Sequence, residues 1–549
     1  MKRIIASILL VATLFTGIVS MVSCGGGKAP AKATWEVPEV GYDGSEVTIT
    51  FAHTMSATKL QPTLELYIEE FNKIFPNIHV EHTAVGGYDD VVDQIKTQLT
   101  AGNQPNIAYC YPDHVALYNV AKAVVPLDNL INSTIPVLDA DGNQMLNADG
   151  SGMILGMTQA QLDDFIQGYY AEGAVYDAAG TMYTLPMSKS TEALYYNKTF
   201  FEVCQKIYAS DVMLDMKGNP VPVYDYEKDD KGEYKLDKDG NKIIKTDAEG
   251  KPVILAETQP NPNKGNENYN IAVPTTWDEM EVVCQKIKAI DPDCIPLGYD
   301  SEANWFITMT EQLGSGYTTL DEDNYFEFDN AENRAFVKRF HEWYQNGYVT
   351  TEEIYGSYTS GLFTSTDVQK CYMVIGSTGG ASYQEPPKDS NGNPLFETAM
   401  TTPPQVDVNN PKVISQGPSL CIFKDENPQE VVASWLFVKF LTTNQEFQAE
   451  FSMKSGYAPV IKSVQENAVY KAWLEKANGY TNLTAMSVKL ALDQEKAYYV
   501  SPAFNGSSKA REQVGFLLRD ILVSEAEDID AEIDRLFKKA VGECEYAAG

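Results

Sequence analysis

The chain has 549 residues, a net charge of −34, 44% hydrophobic residues and 11% aromatic residues. This length exceeds what one hydrophobic core supports, so we expect at least two lobes. The acidic charge argues against nucleic acid as a partner and against electrostatic attraction to anionic lipid, since both select basic surfaces.

The N-terminus carries a targeting signal. A basic pair opens the chain, an apolar run of 19 residues covers 4–22, and Cys24 follows with three glycines. The pattern predicts a signal peptide over 1–23 and resembles the bacterial lipobox, in which cleavage frees a lipidated cysteine. We therefore predict lipidation at Cys24 and a flexible tether over 24–44, whose Pro, Gly and Ala cannot build a core. An uncleaved membrane anchor, and a secretory signal in which Cys24 is incidental, remain alternatives.

Strand and helix patterns alternate after the tether. Residues 46–55 alternate like a strand, an apolar stripe at helical spacing follows up to Pro76, and a further helix closed by Gly102 leads into a buried strand. Such alternation implies a parallel sheet with helices on both faces, which binds ligands beyond the carboxyl ends of its strands. The residues at those positions are His53, Thr54, Tyr88 and Asp113.

Two segments interrupt this alternation, residues 138–153 and 214–265. Both contain Asp-Gly and Asn-Gly turns between short alternating runs, which predicts β-hairpin insertions. A calcium loop is the alternative. The turn chemistry explains these residues without an ion, and DKDGN places its glycine too early for an EF-hand.

The cysteines and histidines indicate no metal site. Seven cysteines remain beyond Cys24, an odd number, so at least one is free. Most lie in apolar runs, where cysteine behaves as a small buried hydrophobe. Cys284 and Cys294 could pair across a turn. Without CxxC or a close His/Cys cluster, we expect neither a metal nor a cofactor.

The ordered motifs of the body resemble a known family. In chain order these motifs are GTMYTLPM with SKSTEALYYNKTFFE, PTTWDEMEVVCQKIKA, IPLGYDSEANWF, KCYMVIGSTGGAS, ISQGPSLCIFK and KSGYAPVIKSV. They resemble the extracellular solute-binding proteins of family 1, the capture subunits of ATP-driven sugar importers, over nearly the whole chain from about residue 46. FAHTM, VGGYDD, MSKSTEALYYN, GSTGG and KSGYAP are most similar to the branch that binds sn-glycerol 3-phosphate.

The resemblance implies an α/β, two-lobed periplasmic-binding-protein fold of type II, hinged and maltose-binding-protein-like, here with β-hairpin insertions. The N-terminal lobe would comprise 45–187 plus 416–465, and the C-terminal lobe 188–415 plus 466–549. Chain crossings would fall near Met187–Ser190 and Ile414–Gly417. Ligand binds between such lobes and selects the closed state, which the permease recognises.

The resemblance also names ligand-binding candidates. Tyr88, Tyr457 and Trp305 offer rings to a sugar or a glycerol backbone, with core packing as the alternative for each. Trp277 and Trp435 lie on helical stripes, which favours the core. Arg511 is the candidate cationic clamp for a phosphate, Asp113 replaces an acidic residue of the branch, and Lys189 stands where the branch has a small polar residue. Small residues that bring hydroxyls or backbone amides to a ligand are Ser190, Ser377, Gly379 and Gly417.

The expected function follows from the resemblance. We expect a monomeric lipoprotein, anchored by lipid on the extracytoplasmic side, that captures a carbohydrate or polyol and delivers it to ABC permease subunits. The alternative ligand is sn-glycerol 3-phosphate or a glycerophosphodiester. An enzyme is not expected, because no catalytic motif stands at a suitable strand-to-helix junction. A surface adhesin has only the insertions in its favour.

Overall fold

The structure, a computed structural model, describes residues 30–548 except 140, 148, 322 and 367–369. The predicted signal peptide and Cys24 lie outside these residues. Within them, the helices lack the combination of length and apolar character that a bilayer crossing requires.

Short strands are distributed along the whole chain. In chain order they are β1 (Val47–His53), β2 (Ile78–Ala84), β3 (Ile107–Cys110), β4 (Thr184–Pro186), β5 (Glu192–Asn197), β6 (Val223–Tyr224), β7 (Ile254–Ala256), β8 (Leu297–Tyr299), β9 (Val349–Thr351), β10 (Met373–Ser377), β11 (Thr398–Thr401), β12 (Val413–Ile414), β13 (Ser419–Ile422) and β14 (Tyr498–Tyr499).

Helices connect the strands and form the C-terminal part of the chain. In chain order they are α1 (Gln61–Ile74), α2 (Tyr88–Ala101), α3 (Pro112–Asn119), α4 (Asp128–Ile131), α5 (Gln159–Asp164), α6 (Gln167–Ala171), α7 (Lys198–Ala209), α8 (Trp277–Ile290), α9 (Glu302–Leu313), α10 (Ala331–Gln345), α11 (Glu352–Tyr355), α12 (Ser360–Phe363), α13 (Pro428–Thr443), α14 (Gln445–Ser455), α15 (Ala468–Leu474), α16 (Leu483–Asp493), α17 (Ser507–Leu522) and α18 (Ile529–Ala548).

Each of the two lobes is built on one five-stranded sheet. The first lobe has the strand order β2-β1-β3-β13-β4, and the second has β11-β5-β10-β8-β9. The strands β1, β2 and β3 are parallel, as the sequence predicts, whereas β13 is antiparallel to both β3 and β4. The sheet is mixed because β13 enters from the other lobe, in the opposite direction to β3. The two-lobed α/β prediction is confirmed.

Apolar helix faces build the two cores. In α1 the predicted stripe buries Leu64 and Phe71, and the helix ends just before Pro76. Trp435 of α13 is buried behind the first sheet, where its indole N–H donates to the Leu155 carbonyl oxygen at 2.8 Å. Trp277 is buried in the second lobe. Both tryptophans therefore pack in a core, as their helical spacing predicts.

The chain ends of the first lobe differ from the predicted boundaries. Lys32 pairs with Asp128 at 2.6 Å, and Tyr42 is buried in the first core, so the flexible tether predicted over 24–44 does not extend over 32–44. Tyr470 of α15 is also buried in the first core, where its hydroxyl lies 2.8 Å from Ser452 Oγ of α14. The first core thus extends past 465 to α15, which packs on α14, and to Val488 and Ala491 of α16.

The insertions consist of tight turns with one geometry. In DKDGN, Asp237 Oδ1 accepts the N–H groups of Asp239 and Asn241 at 2.9 and 2.8 Å, and Gly240 has a φ of +85°. The same carboxylate-to-backbone pattern occurs at Asp215 and Asp389. These carboxylates hold their own turns, so the structure supports hairpins and offers nothing for a calcium loop.

In the longer insertion, three short strands are joined pairwise by backbone hydrogen bonds. Lys235 N donates to Glu227 O, Ile243 N to Lys235 O, and Glu227 N to Ile243 O, at 3.0, 3.0 and 2.9 Å. Each of three hairpin strands thereby pairs with the other two. The predicted hairpin insertion is confirmed, in a more closed form than the sequence alone indicates.

The seven cysteines beyond Cys24 are buried free thiols. The pairing of Cys284 with Cys294, left open by the sequence, therefore does not occur in this structure. Burial raises the pKa of the Cys294 thiol to about 12, and the Asp291 carboxylate adds to the shift. These thiols act as small core residues.

Candidate ligand-binding site

A cleft of about 1070 Å³ lies between the lobes. Its first wall comes from α2 and α3, and its second from α9, α11 and α17. A smaller cavity of about 80 Å³ adjoins it, sharing Tyr111, Asp113 and Arg511, and reaches Glu172 and Gln416 at the hinge. This is the position expected for a ligand site in two α/β lobes.

Three tyrosines of the first lobe lie together, and one of them, Tyr111, lines the cleft. Tyr88, the first residue of α2, stacks on Tyr111 with ring centroids 4.4 Å apart, and Tyr457 is hydrogen-bonded to Tyr88. Burial raises the pKa of the Tyr88 hydroxyl well above its usual value, and it also raises that of Tyr457. The phenols therefore stay neutral, so each can donate and accept hydrogen bonds.

The second lobe presents exposed rings beside carboxylates. Tyr383 is 73% exposed and Tyr358 is 62% exposed. The Glu352 carboxylate, followed by burial, raises the pKa of Tyr358; Asp300 and Tyr457 contribute further to it. Burial raises the pKa of Glu352 itself to about 7, and Asp300 is the next largest cause. Rings that stay solvent-exposed beside acids are available to a ligand.

Asp300 is held in place by its own lobe. Its Oδ1 accepts the backbone N–H and the hydroxyl of Thr359 at 2.7 and 2.6 Å. Asp300 directly follows β8, and Glu352 directly follows β9. The rule that ligand-binding residues follow the strands of a sheet, applied to the second sheet, would have selected both. Tyr111 directly follows β3 and fits the same rule, whereas Tyr358 and Tyr383 lie in loops without such a signal.

A polar network holds Arg511 at the meeting point of the two cavities. Its guanidinium donates to Asn304 Oδ1. Asn304 Nδ2 in turn donates to Glu192 Oε1 and to Gln416 Oε1, both at 2.9 Å. The hydroxyl of Tyr299 donates to Glu192 Oε2 at 2.7 Å, and burial raises the pKa of Glu192 to about 7. The direct partner of Arg511 is thus a neutral amide, which leaves its charge available to the cleft.

Two sequence candidates lie away from the cleft. His53 is 0% exposed, and its Nε2 lies 3.0 Å from His82 Nδ1 inside the first lobe. Trp305 is 0% exposed and stacks on Tyr299 with centroids 4.9 Å apart, because its face of α9 points into the second core. Neither residue lines the cleft or the smaller cavity, so ligand contact by them stays a prediction.

The remaining candidates lie at the cleft or at the hinge. Gly379 of the second lobe lies close to Tyr457 of the first, since an added Cβ would be 3.0 Å from that ring. The Ser377 hydroxyl accepts the Gly379 N–H at 3.1 Å, so it stabilises the turn. Ser190 is buried at the hinge, and Gly417 lines the smaller cavity. Of these candidates, Asp113 and Arg511 line the cleft, while Tyr88, Tyr457 and Gly379 form a connected group that reaches the cleft through Tyr111.

Metal-binding groups are not concentrated anywhere in the described part of the chain. No three His, Cys, Asp or Glu side chains there are arranged to hold an ion.

Comparisons with known sequences point to one family. A model described as bacterial extracellular solute-binding protein matches residues 57–268, and a second model with the same description matches 253–478. A multiple sugar-binding protein of Streptococcus mutans is 22% identical over 157 residues. That match spans 29% of this chain and 30% of the relative's own length.

Solved structures of similar fold cover nearly the whole chain. The cyclic alpha-maltosyl-1,6-maltose binding protein of Arthrobacter globiformis has a TM-score of 0.60 and 14% identity, covering 91% of this chain and 100% of that one. UgpB of Mycobacterium tuberculosis, in complex with glycerophosphocholine, has a TM-score of 0.59 and 16% identity, covering 91% and 99%. Together with the two family models, this shared fold shows that the chain belongs to the bacterial extracellular solute-binding proteins.

Proposed function

We propose that this protein is the substrate-binding subunit of an ABC importer and captures a carbohydrate or polyol between its hinged lobes. The observation that carries the proposal is a group of tyrosines at the interlobe cleft: Tyr111 lines the cleft, Tyr88 stacks on Tyr111, and the exposed Tyr358 of the second lobe lies near Tyr457. Aromatic faces bind the C–H surfaces of sugar rings, and fixed polar groups select their hydroxyls.

The polar groups of the cleft suit a neutral ligand with many hydroxyls. Neutral Tyr88 and Tyr457 can donate to or accept from sugar hydroxyls, and Glu352 offers acceptor oxygens on the opposite wall of the cleft. A cleft of about 1070 Å³ is at the upper end of ligand-pocket sizes, which favours an oligosaccharide over a single ring. The sugar ligands named for the Streptococcus and Arthrobacter relatives support the same class.

A phosphate-bearing polyol is the second candidate, and Arg511 favours it. Asn304 holds the guanidinium at the cleft, and the described residues give Arg511 no ion-pair partner, so its remaining N–H groups can meet a phosphate. The UgpB relative was solved with glycerophosphocholine, a ligand of this class. This candidate predicts that Arg511 decides affinity, whereas the sugar candidate predicts that the tyrosines do.

A thermal-shift screen separates the two candidates. Oligosaccharides and polyols should be tested beside sn-glycerol 3-phosphate and glycerophosphocholine, since a tight ligand raises the melting temperature. Tyr457→Ala should remove most of a sugar-induced shift, and Arg511→Ala should remove a phosphate-induced shift and spare a sugar-induced one. Tyr546→Ala, at an 88% exposed position on the last helix, is the matched control. No shift with any compound would contradict both candidates.

The cellular setting is also part of the proposal. The N-terminal pattern supports a lipid on Cys24 that keeps a monomer on the extracytoplasmic side, near its permease. Cells expressing the full chain should incorporate labelled fatty acid into the protein, and Cys24→Ala should abolish the label. Unchanged label in that variant would contradict lipidation at this cysteine.

Catalysis forms no part of the proposed role. The two family models and the solved neighbours are substrate-binding proteins. Incubation with oligosaccharides, followed by product analysis, should therefore show binding without turnover. Product formation that persists after repeated purification would instead support a carbohydrate-active enzyme.

A further inference from the structure

The hinge between the lobes contains a buried ion pair that the ligand site does not explain. Lys189, 0% exposed, donates to the Glu172 carboxylate, which is 2% exposed. The same ammonium donates to Gly417 O and to Ser419 Oγ, both at 3.1 Å. Ser419 Oγ also donates to Glu172 Oε1 at 3.2 Å. A buried charge pair with this many hydrogen bonds is unusual, because desolvating two charges is costly.

The pair joins the separate segments that connect the lobes. Glu172 belongs to the first lobe, Lys189 lies on the crossing between β4 and β5, and Gly417 lies on the crossing between β12 and β13. The backbone pairs the same segments, since Lys189 N donates to Ala458 O at 3.0 Å and Ser190 N donates to Gln416 O at 2.8 Å. One ammonium thus ties both crossings to the first lobe at the point where the lobes pivot.

We infer that Lys189 is a positioning residue that fixes the pivot and thereby sets the balance between open and closed lobes. Without its ammonium, the Gly417 carbonyl loses its donor and the Glu172 carboxylate keeps only the Ser419 hydroxyl. A buried acceptor that lacks donors favours any conformation that lets water reach it. An open hinge gives that access. Ligand affinity depends on the population of the closing-competent state, so Lys189 affects affinity without touching the ligand.

The test measures the hinge itself, in protein without ligand. Spin labels at Glu69 in the first lobe and Glu342 in the second report the interlobe distance by double electron–electron resonance. Both positions are exposed. Lys189→Met keeps a side chain of similar length and removes its charge. It should widen the distribution of interlobe distances and speed amide hydrogen exchange at Ser190 and Gln416.

Lys439→Met is the matched control. Lys439 donates to the backbone carbonyls of Ile154 and Gly156 at 2.9 and 2.6 Å, entirely within the first lobe. Its loss should lower the melting temperature and leave interlobe distances unchanged. If Lys189→Met behaves like this control, Lys189 has only a structural role and the inference is overturned.

Two features keep the test decisive. Should Lys189→Met not fold, Ser419→Ala, which removes one of the three acceptors, must still speed exchange at Ser190, and unchanged exchange there overturns the inference. The inference rests on the proposed function only in assuming that the lobes open and close. Because the distances are measured without ligand, an absence of sugar binding would contradict the proposed function and leave this result standing.

Discussion

Replacing Gly417 with alanine should destabilise the protein through both backbone strain and steric overlap. Gly417 has a φ of +102°, and an added Cβ would lie 2.5 Å from Ser188 O and 2.8 Å from Lys189 Cα. A left-handed backbone costs an L-residue about 1–2 kcal/mol. Overpacking against a fixed neighbour adds about 1–3 kcal/mol, and these neighbours are backbone atoms that cannot rotate away. We therefore expect a total cost of about 2–5 kcal/mol.

The matched control is Gly392→Ala, at a turn where φ is +85° and no atom lies within 4 Å of the added Cβ. That variant bears the backbone cost alone, so the difference between the two variants isolates the steric cost at the hinge. Urea unfolding followed by tryptophan fluorescence measures both, because tryptophans lie in both cores. If the two variants lose the same stability, the close approach of the two crossings does not constrain this position.

Three further results are expected. Trp435→Phe should cost about 1–3 kcal/mol more than Trp343→Phe in urea unfolding, because it removes the closer donor of the buried Leu155 carbonyl and leaves only Lys439 Nζ at 3.5 Å. The indole N–H of Trp343 has no partner among the described residues, so equal costs would contradict this reasoning. Burial holds the pKa of His53 at about 4, below the 6.5 of the unfolded chain. The free energy of unfolding should therefore fall by up to about 3 kcal/mol between pH 6.5 and pH 4, and His53→Gln should reduce this fall. The same pH dependence in the variant would refute the reasoning. Trp305→Phe should lower the melting temperature and leave ligand affinity unchanged, while Tyr383→Ala should lower ligand affinity and leave the melting temperature unchanged. A variant that changes both quantities would contradict this separation.

Local chemistry made several elements predictable. The apolar stripe of α1 and the glycine that ends α2 were read from spacing alone, because helix periodicity and a left-handed cap need no distant contact. The same holds for the insertions, since an Asp-x-x-Gly turn is held by its own carboxylate, as at Asp237. The mixed strand order of the first sheet was not predictable, because β13 joins it from the other lobe.

The candidate site was only partly predictable for the same reason. A residue that follows a strand can be recognised in sequence, as Tyr88 and Asp113 are. Whether it faces a cleft or a core depends on the helices packed behind it, which is why no local pattern reveals that His53 and Trp305 are buried. Tyr358 lies near Tyr457 only because the second lobe brings its loop there.

The sequence by itself determined the family, the two α/β lobes and the hairpin turns, because each follows from short-range pattern or from ordered motifs. Only the tertiary structure decided what meets across the lobes: the tyrosines of both lobes, the amide that holds Arg511, and the buried Lys189–Glu172 pair at the hinge. Some of those contacts join residues more than two hundred positions apart in the sequence. Their separation in space is set by packing, which no local pattern encodes.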